Sequence, residues 1–327
     1  MKRREFVTLL GAAAAWPLHT QAQQPQKMRQ VGFLAAGGRP PKGAVPAALR
    51  EALQALGHME GQTVAYEARY AAGKLETLPA LAAELVERKV DVIVTAGFRA
   101  TLAAKQSTAS IPIVLAIGSG DAVATGMIAS LSRPGGNVTG ISEEAAQLSA
   151  KRLEILKETL PKATKIAVLW NADDFGMTLR YREIEKAARV LRVDVQPLGV
   201  REPNDFESAF AAMNRARPDA VFLVADVLTG LNRRQLIDYA AAHRIPAMYE
   251  FGSIVRDGGL MSYGSTFEDA YRTAAGYVDR ILKGSKPADL PVQQPTRYYL
   301  TVNQKTAAAL GLTIPASILL RADEVIQ

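Results

Sequence analysis

The chain contains no cysteine, and only three of its 327 residues are histidines. The lack of cysteine excludes disulfides, thiolate metal sites, a thiol nucleophile and a lipid-modified leader cysteine. The Gly-x-Ser-x-Gly and His-Glu-x-x-His motifs of hydrolases and zinc enzymes do not occur either. We therefore expect no catalytic residues, no metal and no cofactor. An acid–base mechanism that uses carboxylates alone stays open as an alternative.

Dense runs of one charge and long apolar runs are also missing. The formal net charge is +7, but the excess of Lys and Arg is scattered among acidic residues. A solvated basic surface fits this pattern, and we expect no nucleic-acid partner. No stretch reaches 18 uninterrupted apolar residues, so we expect no stable membrane insertion. The hydrophobic share of 48% is typical of a globular protein.

The N-terminus has the pattern of a signal peptide. Lys2-Arg3-Arg4 forms a positive segment, and the apolar stretch from Phe6 to Trp16 follows it. Thr20-Gln21-Ala22 fits a cleavage site, so residues 1–22 are predicted to be removed. Arg3-Arg4-Glu5-Phe6 also resembles the twin-arginine pattern. The sequence thus predicts export to the periplasm and leaves the twin-arginine and ordinary secretory routes open.

Strand and helix patterns alternate along most of the remaining chain. One example is the apolar stripe at 78, 81, 82, 85 and 86, which has helical spacing and is followed by the buried-strand run Val90–Thr95. The stretch 133–142 combines the turn Pro134-Gly-Gly-Asn137 with a short strand, Val138–Ile141. It lacks the Lys of a phosphate-binding loop, because Ile141 and Ser142 follow Gly140. We interpret it as the first crossing between two lobes.

The alternation predicts an α/β protein with two doubly wound parallel-sheet lobes joined by a multi-strand hinge. We place residues 23–139 and about 258–286 in lobe 1, and residues 140–257 and about 287–327 in lobe 2. The strand at 258–264 and the helix after it are predicted to return to lobe 1. The segment 286–295, with three prolines, would be a further crossing.

Ligands of such sheets bind outside the carboxyl ends of the strands. The loops at those ends, together with aromatic residues near the expected mouth, give twelve candidate ligand-binding residues. They are Gly37, Gly38, Gly97, Phe98, Ser119, Asp121, Asn171, Phe175, Asp226, Tyr249, Glu250 and Tyr263.

Several candidates have an equally simple structural explanation. The three glycines fit ordinary turns, and Phe98 fits a hydrophobic core. Asp121 and Asp226 fit helix caps. Glu250 fits either a ligand ammonium or an ion pair between the lobes. Arg99 fits the protein surface better than a carboxylate clamp.

Motifs spread over nearly the whole chain are similar to those of one known family. They are Arg4-Glu-Phe, Gly61-Gln-x-Val64, Val90-Asp-Val-Ile-Val94, Ile111-Pro-Ile-Val114, Arg133-Pro-Gly-Gly-Asn-Val-Thr-Gly140, Gly259-Leu-Met-Ser-Tyr-Gly264, Ile281-Leu-Lys-Gly284, Asp289-Leu-Pro-Val-Gln-Gln-Pro295 and Arg321-Ala-Asp-Glu324. In this order they resemble the substrate-binding proteins of ABC transporters with a type I periplasmic-binding fold, and within it the tryptophan- and tyrosine-type group. The chain has Asp121-Ala122 and Asn171-Ala172 where relatives often have Asp-Pro and Asn-Pro.

The resemblance implies extracytoplasmic capture of a ligand and its delivery to ABC permease subunits, without catalysis. The aromatic and polar residues near the expected mouth between the lobes indicate a small organic solute, amino-acid-like or aromatic, and we expect a monomer. Two alternatives stay open: a periplasmic sensing module that docks on a receptor, and a carboxylate-dependent enzyme. A DNA-binding repressor of this fold would need a helix-turn-helix where this chain has its leader.

Overall fold

The computed structural model describes residues 28–118, 120–143 and 145–327, without the side chains of Ala145 and Ala146. The predicted signal peptide at residues 1–22 and the candidate ligand-binding residue Ser119 lie outside the described residues.

The first sheet has five parallel strands, which buried Val, Ile, Leu and Phe side chains anchor on both faces. They are β1 (Arg29–Ala35), β2 (Val64–Tyr70), β3 (Val92–Ala96), β4 (Ile113–Ile117) and β5 (Val138–Gly140). The strand order is β2-β1-β3-β4-β5. The helices between them are α1 (Ala47–Ala55), α2 (Leu78–Glu87) and α3 (Phe98–Ser107). A short 3-10 turn, Leu75–Thr77, precedes α2.

The second sheet has seven strands in the order β12-β11-β10-β9-β8-β6-β7, and only the β10–β11 pair of these described strands is antiparallel. Its strands are β6 (Lys165–Asn171), β7 (Asp194–Val200), β8 (Ala220–Leu223), β9 (Ala247–Tyr249), β10 (Met261–Gly264), β11 (Tyr299–Asn303) and β12 (Glu324–Ile326). The helices are α4 (Ala145–Thr159), α5 (Phe175–Leu191), α6 (Asp205–Ala216), α7 (Val227–Leu231), α8 (Arg233–Ala242), α9 (Gly252–Arg256), α10 (Phe267–Leu282), α11 (Gln304–Ala309) and α12 (Ala316–Leu319). The predicted α/β class with two sheet units is confirmed.

Each sheet is covered by helices on both faces. Successive strand residues point to opposite sides of the sheet, so each strand packs against both layers of helices. In the first sheet, Phe33 packs in the cluster that contains α1 and α10, whereas the adjacent Leu34 packs in the cluster that contains α2 and α3. In the second sheet, Val168 and Leu169 divide in the same way between the α4–α5 side and the α6–α8 side. Each sheet unit is therefore stabilised by two hydrophobic clusters, one on each face of its sheet.

In the described residues, three segments carry the chain between the two sheets. The first and third crossings run side by side, because the Ser142 amide donates to the Gln293 carbonyl at 2.9 Å and the Gln293 amide donates to the Gly140 carbonyl at 3.0 Å. The remaining crossing joins β10 to α10, which packs on α1, β3 and β4 of the first unit. These parallel crossings have the geometry of a hinge.

The strand at Met261–Gly264 was predicted to return to the first unit. In the structure it belongs to the second sheet instead. It pairs with β9 through Met261 and Met248, and with β11 through Tyr263 and Leu300. The prediction was wrong for this strand and right for the following helix, so the crossing falls after residue 264. Hydrophobic pattern alone does not tell to which of two sheets a strand belongs. The division into two domains by residue number stays a prediction.

Gly140 is expected to be required at the end of β5. Its φ is +126°, and a Cβ there would overlap the Leu115 carbonyl of the neighbouring strand. Gly140→Ala should therefore lower the free energy of unfolding by about 3 kcal/mol, because strain and overlap both act at one position. Urea unfolding followed by fluorescence measures this loss.

Gly136→Ala is the matched control, because no atom lies within 4 Å of a Cβ built there. Its effect should stay within about 0.5 kcal/mol. Equal urea midpoints for the two variants would contradict the assigned role of Gly140.

Candidate functional site

A cavity of about 460 Å³ lies between the two sheets. Its walls are the loops at the carboxyl ends of β1, β3 and β4 on one side and of β6, β8 and β9 on the other. Helix α10 and the segment that contains Glu143 close it at the hinge side. Both the position at strand carboxyl ends and the volume are typical of sites for small molecules.

The two walls of the cavity touch each other. Val227 of α7 packs against the core cluster that covers one face of the first sheet. Arg99 Nη1 donates to the Asp173 carbonyl across the cleft at 3.5 Å. At the mouth, a Cβ added to Gly73 would come within 2.7 Å of Leu231 Cδ1. The structure thus has the cleft in a closed arrangement.

One part of the cavity wall is aromatic. Six rings line it: Phe33, Tyr70, Phe98, Phe251, Phe267 and Tyr271. The ring centroids of Phe33 lie 5.6 Å from Tyr70 and 6.1 Å from Tyr271, and those of Phe251 and Phe267 lie 4.3 Å apart. At these separations the rings pack on one another, and together they give the cavity an apolar aromatic surface.

The cavity wall also contains a buried ion cluster. Glu250, at the end of β9, is 2% exposed and accepts hydrogen bonds from Arg180 Nη2 and from the Ala225 amide. Arg152 Nη1 lies 3.3 Å from the same Glu250 oxygen, and Arg152 Nε donates to the Tyr263 carbonyl at 2.5 Å. Burial lowers the pKa of both guanidinium groups to about 10, so both stay charged at neutral pH.

Two aspartates beside this cluster cap helices. Asp174 accepts from the Met177 amide at 3.2 Å and starts α5, and Asp226 accepts from the Thr229 amide at 2.8 Å and starts α7. Asn171 Nδ2 donates to the second Asp226 oxygen at 2.6 Å. Burial, with a smaller contribution from the charge of Asp226, raises the pKa of Asp174 to about 6.

Half of the twelve residues predicted from the sequence line the cavity. These are Gly37, Gly38, Gly97, Phe98, Asp226 and Glu250. Several also have the simpler role: Gly97 has a φ of +101° before α3, Phe98 belongs to a core cluster, and Asp226 caps α7. The ion pairs of Glu250 lie within the second unit, because α4 and α5 carry its partners, and do not join the two units.

The other predicted residues lie elsewhere. Asp121 caps a turn through the amides of residues 123 and 124, and Tyr249 is buried in the core behind β9. Asn171 supports Asp226 from behind, and Tyr263 contributes a carbonyl that holds Arg152. Phe175 is 55% exposed at the first turn of α5 and does not line the cavity.

Sequence reasoning missed Asp174, Arg180 and Arg152. A signal for Arg180 was present, because it shares a helical stripe with Met177, Ile184 and other buried residues of α5. A charged side chain on an apolar face must have buried partners, and this pattern marks candidates for a site. The sequence pattern assigns Phe33 and Tyr70 to strands, and Phe267 and Tyr271 to the apolar face of α10, and it gives no reason to place these four rings at the cavity.

No group of three or more His, Cys, Asp or Glu side chains in the described part of the chain is arranged to hold a metal ion. Within the same residues, no helix is long and apolar enough to cross a membrane.

Comparison with known proteins gives the family. The family model for ABC transporter substrate binding proteins matches residues 41–326, and the chain belongs to this family. The prediction of a binding protein rather than an enzyme is thereby confirmed.

Relatives and solved structures agree with this assignment. The chain is 25% identical over 262 residues to a tyrosine-binding protein of Clostridioides difficile, a match that covers 80% of this chain and 75% of that protein. A conserved domain protein of Vibrio cholerae has a TM-score of 0.85 at 26% identity, with 91% of this chain and 100% of that one covered. An ABC domain in complex with L-Trp from Streptococcus pneumonia has a TM-score of 0.84 at 24% identity, with the same coverage.

The raised pKa of Asp174 predicts a specific dependence of stability on pH. A carboxyl group whose folded pKa lies above its unfolded value destabilises the ionised native state, so its contribution to stability falls as pH rises from about 4 through about 6. Asp174→Asn keeps the cap and removes the titration. Between pH 7 and pH 5 the wild type should gain about 1 kcal/mol relative to this variant. Parallel unfolding curves at both pH values test this, and an unchanged difference would contradict it.

The buried ion cluster predicts a large effect of removing its carboxylate. Glu250→Gln keeps the shape and leaves two buried guanidinium groups without a counter-charge, so stability should fall by about 3 kcal/mol or more. Glu154→Gln, which breaks the exposed pair with Lys151 at 3.2 Å, should change it by less than about 1 kcal/mol. The urea midpoints measure both effects. Equal losses of stability in the two variants would contradict the larger contribution of the buried ion cluster.

Proposed function

We propose that the chain is an exported solute-binding protein that captures a small organic solute, amino-acid-like or aromatic, in the cavity between its sheets. It then delivers that solute to the permease subunits of an ABC transporter. The predicted signal peptide at residues 1–22 supports a periplasmic location for the mature, monomeric protein. The two sheet units joined by a hinge support capture of the solute by closure of the cleft.

The cavity wall contains both aromatic rings and buried charged side chains, and this combination is the main support for the proposal. Such a wall favours a solute with a flat apolar body and a charged head group. The relatives named for tyrosine binding and solved with L-Trp are proteins whose ligands have this form.

Closure follows from contacts on both walls. A solute that touches the loops after β1 and β3 and also the loops after β8 and β9 makes more contacts when the cleft is closed. Only this difference in affinity moves the equilibrium towards the closed form. A change from mostly open to mostly closed requires about 5 kcal/mol of differential affinity.

A thermal-shift screen of amino acids, aromatic acids and nucleobases tests the proposal. Tryptophan, tyrosine or a related aromatic solute should raise the melting temperature, because a ligand at 100 times its Kd adds about 2.7 kcal/mol to stability. No shift with any of these solutes would contradict the proposal.

Two phenylalanine variants show where the solute binds. Phe267→Ala removes a ring from the cavity wall and should weaken binding about tenfold. Phe175→Ala removes an exposed ring outside the cavity and should leave the Kd unchanged. Isothermal titration calorimetry gives both Kd values, and equal weakening would place the solute elsewhere.

A further inference from the structure

Arg180 has a buried donor that the protein leaves unused. The side chain is 3% exposed and lines the cavity. Its Nη2 donates to Glu250, and its Nη1 lies 3.6 Å from Met177 Sδ. Within the described residues, its Nε has no hydrogen-bond partner. A buried donor without a partner costs about 1–3 kcal/mol, which a ligand acceptor would recover.

The carboxylates of the cavity already accept hydrogen bonds from the protein. Asp174 and Asp226 accept from the first turns of α5 and α7, and Glu143 accepts from the Gly118 amide at 3.4 Å. Glu250 accepts from Arg180 and from a backbone amide. The Arg180 guanidinium is a buried group of this wall with an N–H donor that the protein leaves unused.

The balance of formal charges around Arg180 does not exclude an anion from the cavity. Four guanidinium groups and four carboxylates line the cavity or lie directly behind its wall. They are Arg99, Arg152, Arg180, Arg233, Glu143, Asp174, Asp226 and Glu250. Two of the carboxylates cap helices, so the amino ends of those helices offset part of their charge. The pKa of Asp174, raised to about 6, reduces the negative charge further in mildly acidic solution.

We propose that Arg180 is the specificity-determining residue of the cleft and that its guanidinium group donates hydrogen bonds to a carboxylate of the bound solute. This inference rests on the proposed function of the cavity. Glu250 holds the guanidinium of Arg180 through its Nη2, and Arg152 lies against Glu250 and the Tyr263 carbonyl. A planar guanidinium held in this way presents its free donor in one direction, which a lysine ammonium does not. The flat part of the same solute then lies against the aromatic wall.

The test compares solutes that differ only in their head group. 3-Phenylpropionate, 3-phenylpropionamide and phenethylamine are titrated into the full mature chain by calorimetry, and acetate, acetamide and methylammonium are compared by thermal shift at constant ionic strength. The acids should bind at least about tenfold more tightly than the matched amides and amines. An amide as tight as its acid, an amine tighter than its acid, or no stabilisation by any acid would overturn the proposal.

Arg180→Lys should remove the preference for the acid over the amide, whereas Arg182→Lys, an exposed position on the same helix, should keep it. Circular dichroism and urea unfolding show whether the first variant folds, and the comparison of solutes on the wild type does not depend on it. Equal loss in the two variants would also overturn the proposal.

The two proposals fail in different ways in this experiment. Aromatic solutes that bind with no preference for the acid would leave the proposed function intact and remove the role of Arg180. Acetate that stabilises the wild type but not the Arg180→Lys variant, without binding of any aromatic solute, would support Arg180 as the anion receptor and contradict the aromatic solute class.

Discussion

The charge of Glu250 is shared by two guanidinium groups that burial has removed from water, and this arrangement determines the shape of the cleft. Arg180 comes from α5, Arg152 comes from α4, and Glu250 ends β9. Arg152 also holds the carbonyl of Tyr263, at the end of the strand from which the chain crosses to the first unit. Burying three charges is expensive, and apolar side chains of similar volume are often at least as stable. We interpret the cluster as a fixed polar floor that connects the cavity with the hinge.

The position of the cavity follows from the two sheets. Parallel strands end at one edge of each sheet, and the crossings bring these edges face to face. The first and third crossings are hydrogen-bonded to each other. Val227 and the Arg99–Asp173 contact join the two walls of the cavity. These contacts lie on the far side from the hinge, where Gln293 pairs with Gly140. The proposed capture by closure uses these same contacts.

Much of the fold could be predicted from the sequence because apolar periodicity is a local property. The run 90–95 and the stripe 78–86 each specify an element without knowledge of the rest of the chain. The rule that ligands bind at strand carboxyl ends also brought Gly97, Asp226 and Glu250 to the cavity. The sheet to which β10 belongs depends on which neighbour it meets, and its own residues do not encode this.

The parts of the site that sequence reasoning missed depend on side chains from elements distant in the chain. Phe33, Tyr70 and Tyr271 look like core residues, and the same rings form a cavity wall only because the second unit stops short of them. Arg180 gained its role from Glu250, which lies 70 positions further along the chain. Tyr249, conversely, was placed at the mouth by the end of its strand, yet its side chain points into the core.

Small-angle X-ray scattering of the mature chain, freed of co-purified solute by unfolding and refolding, tests most directly whether a solute closes the cleft. We expect the radius of gyration to fall when an aromatic solute from the screen is added. The midpoint of this change, as a function of solute concentration, should match the calorimetric Kd. A scattering profile that stays unchanged while the calorimetric titration goes to saturation would contradict closure of the two units around the solute.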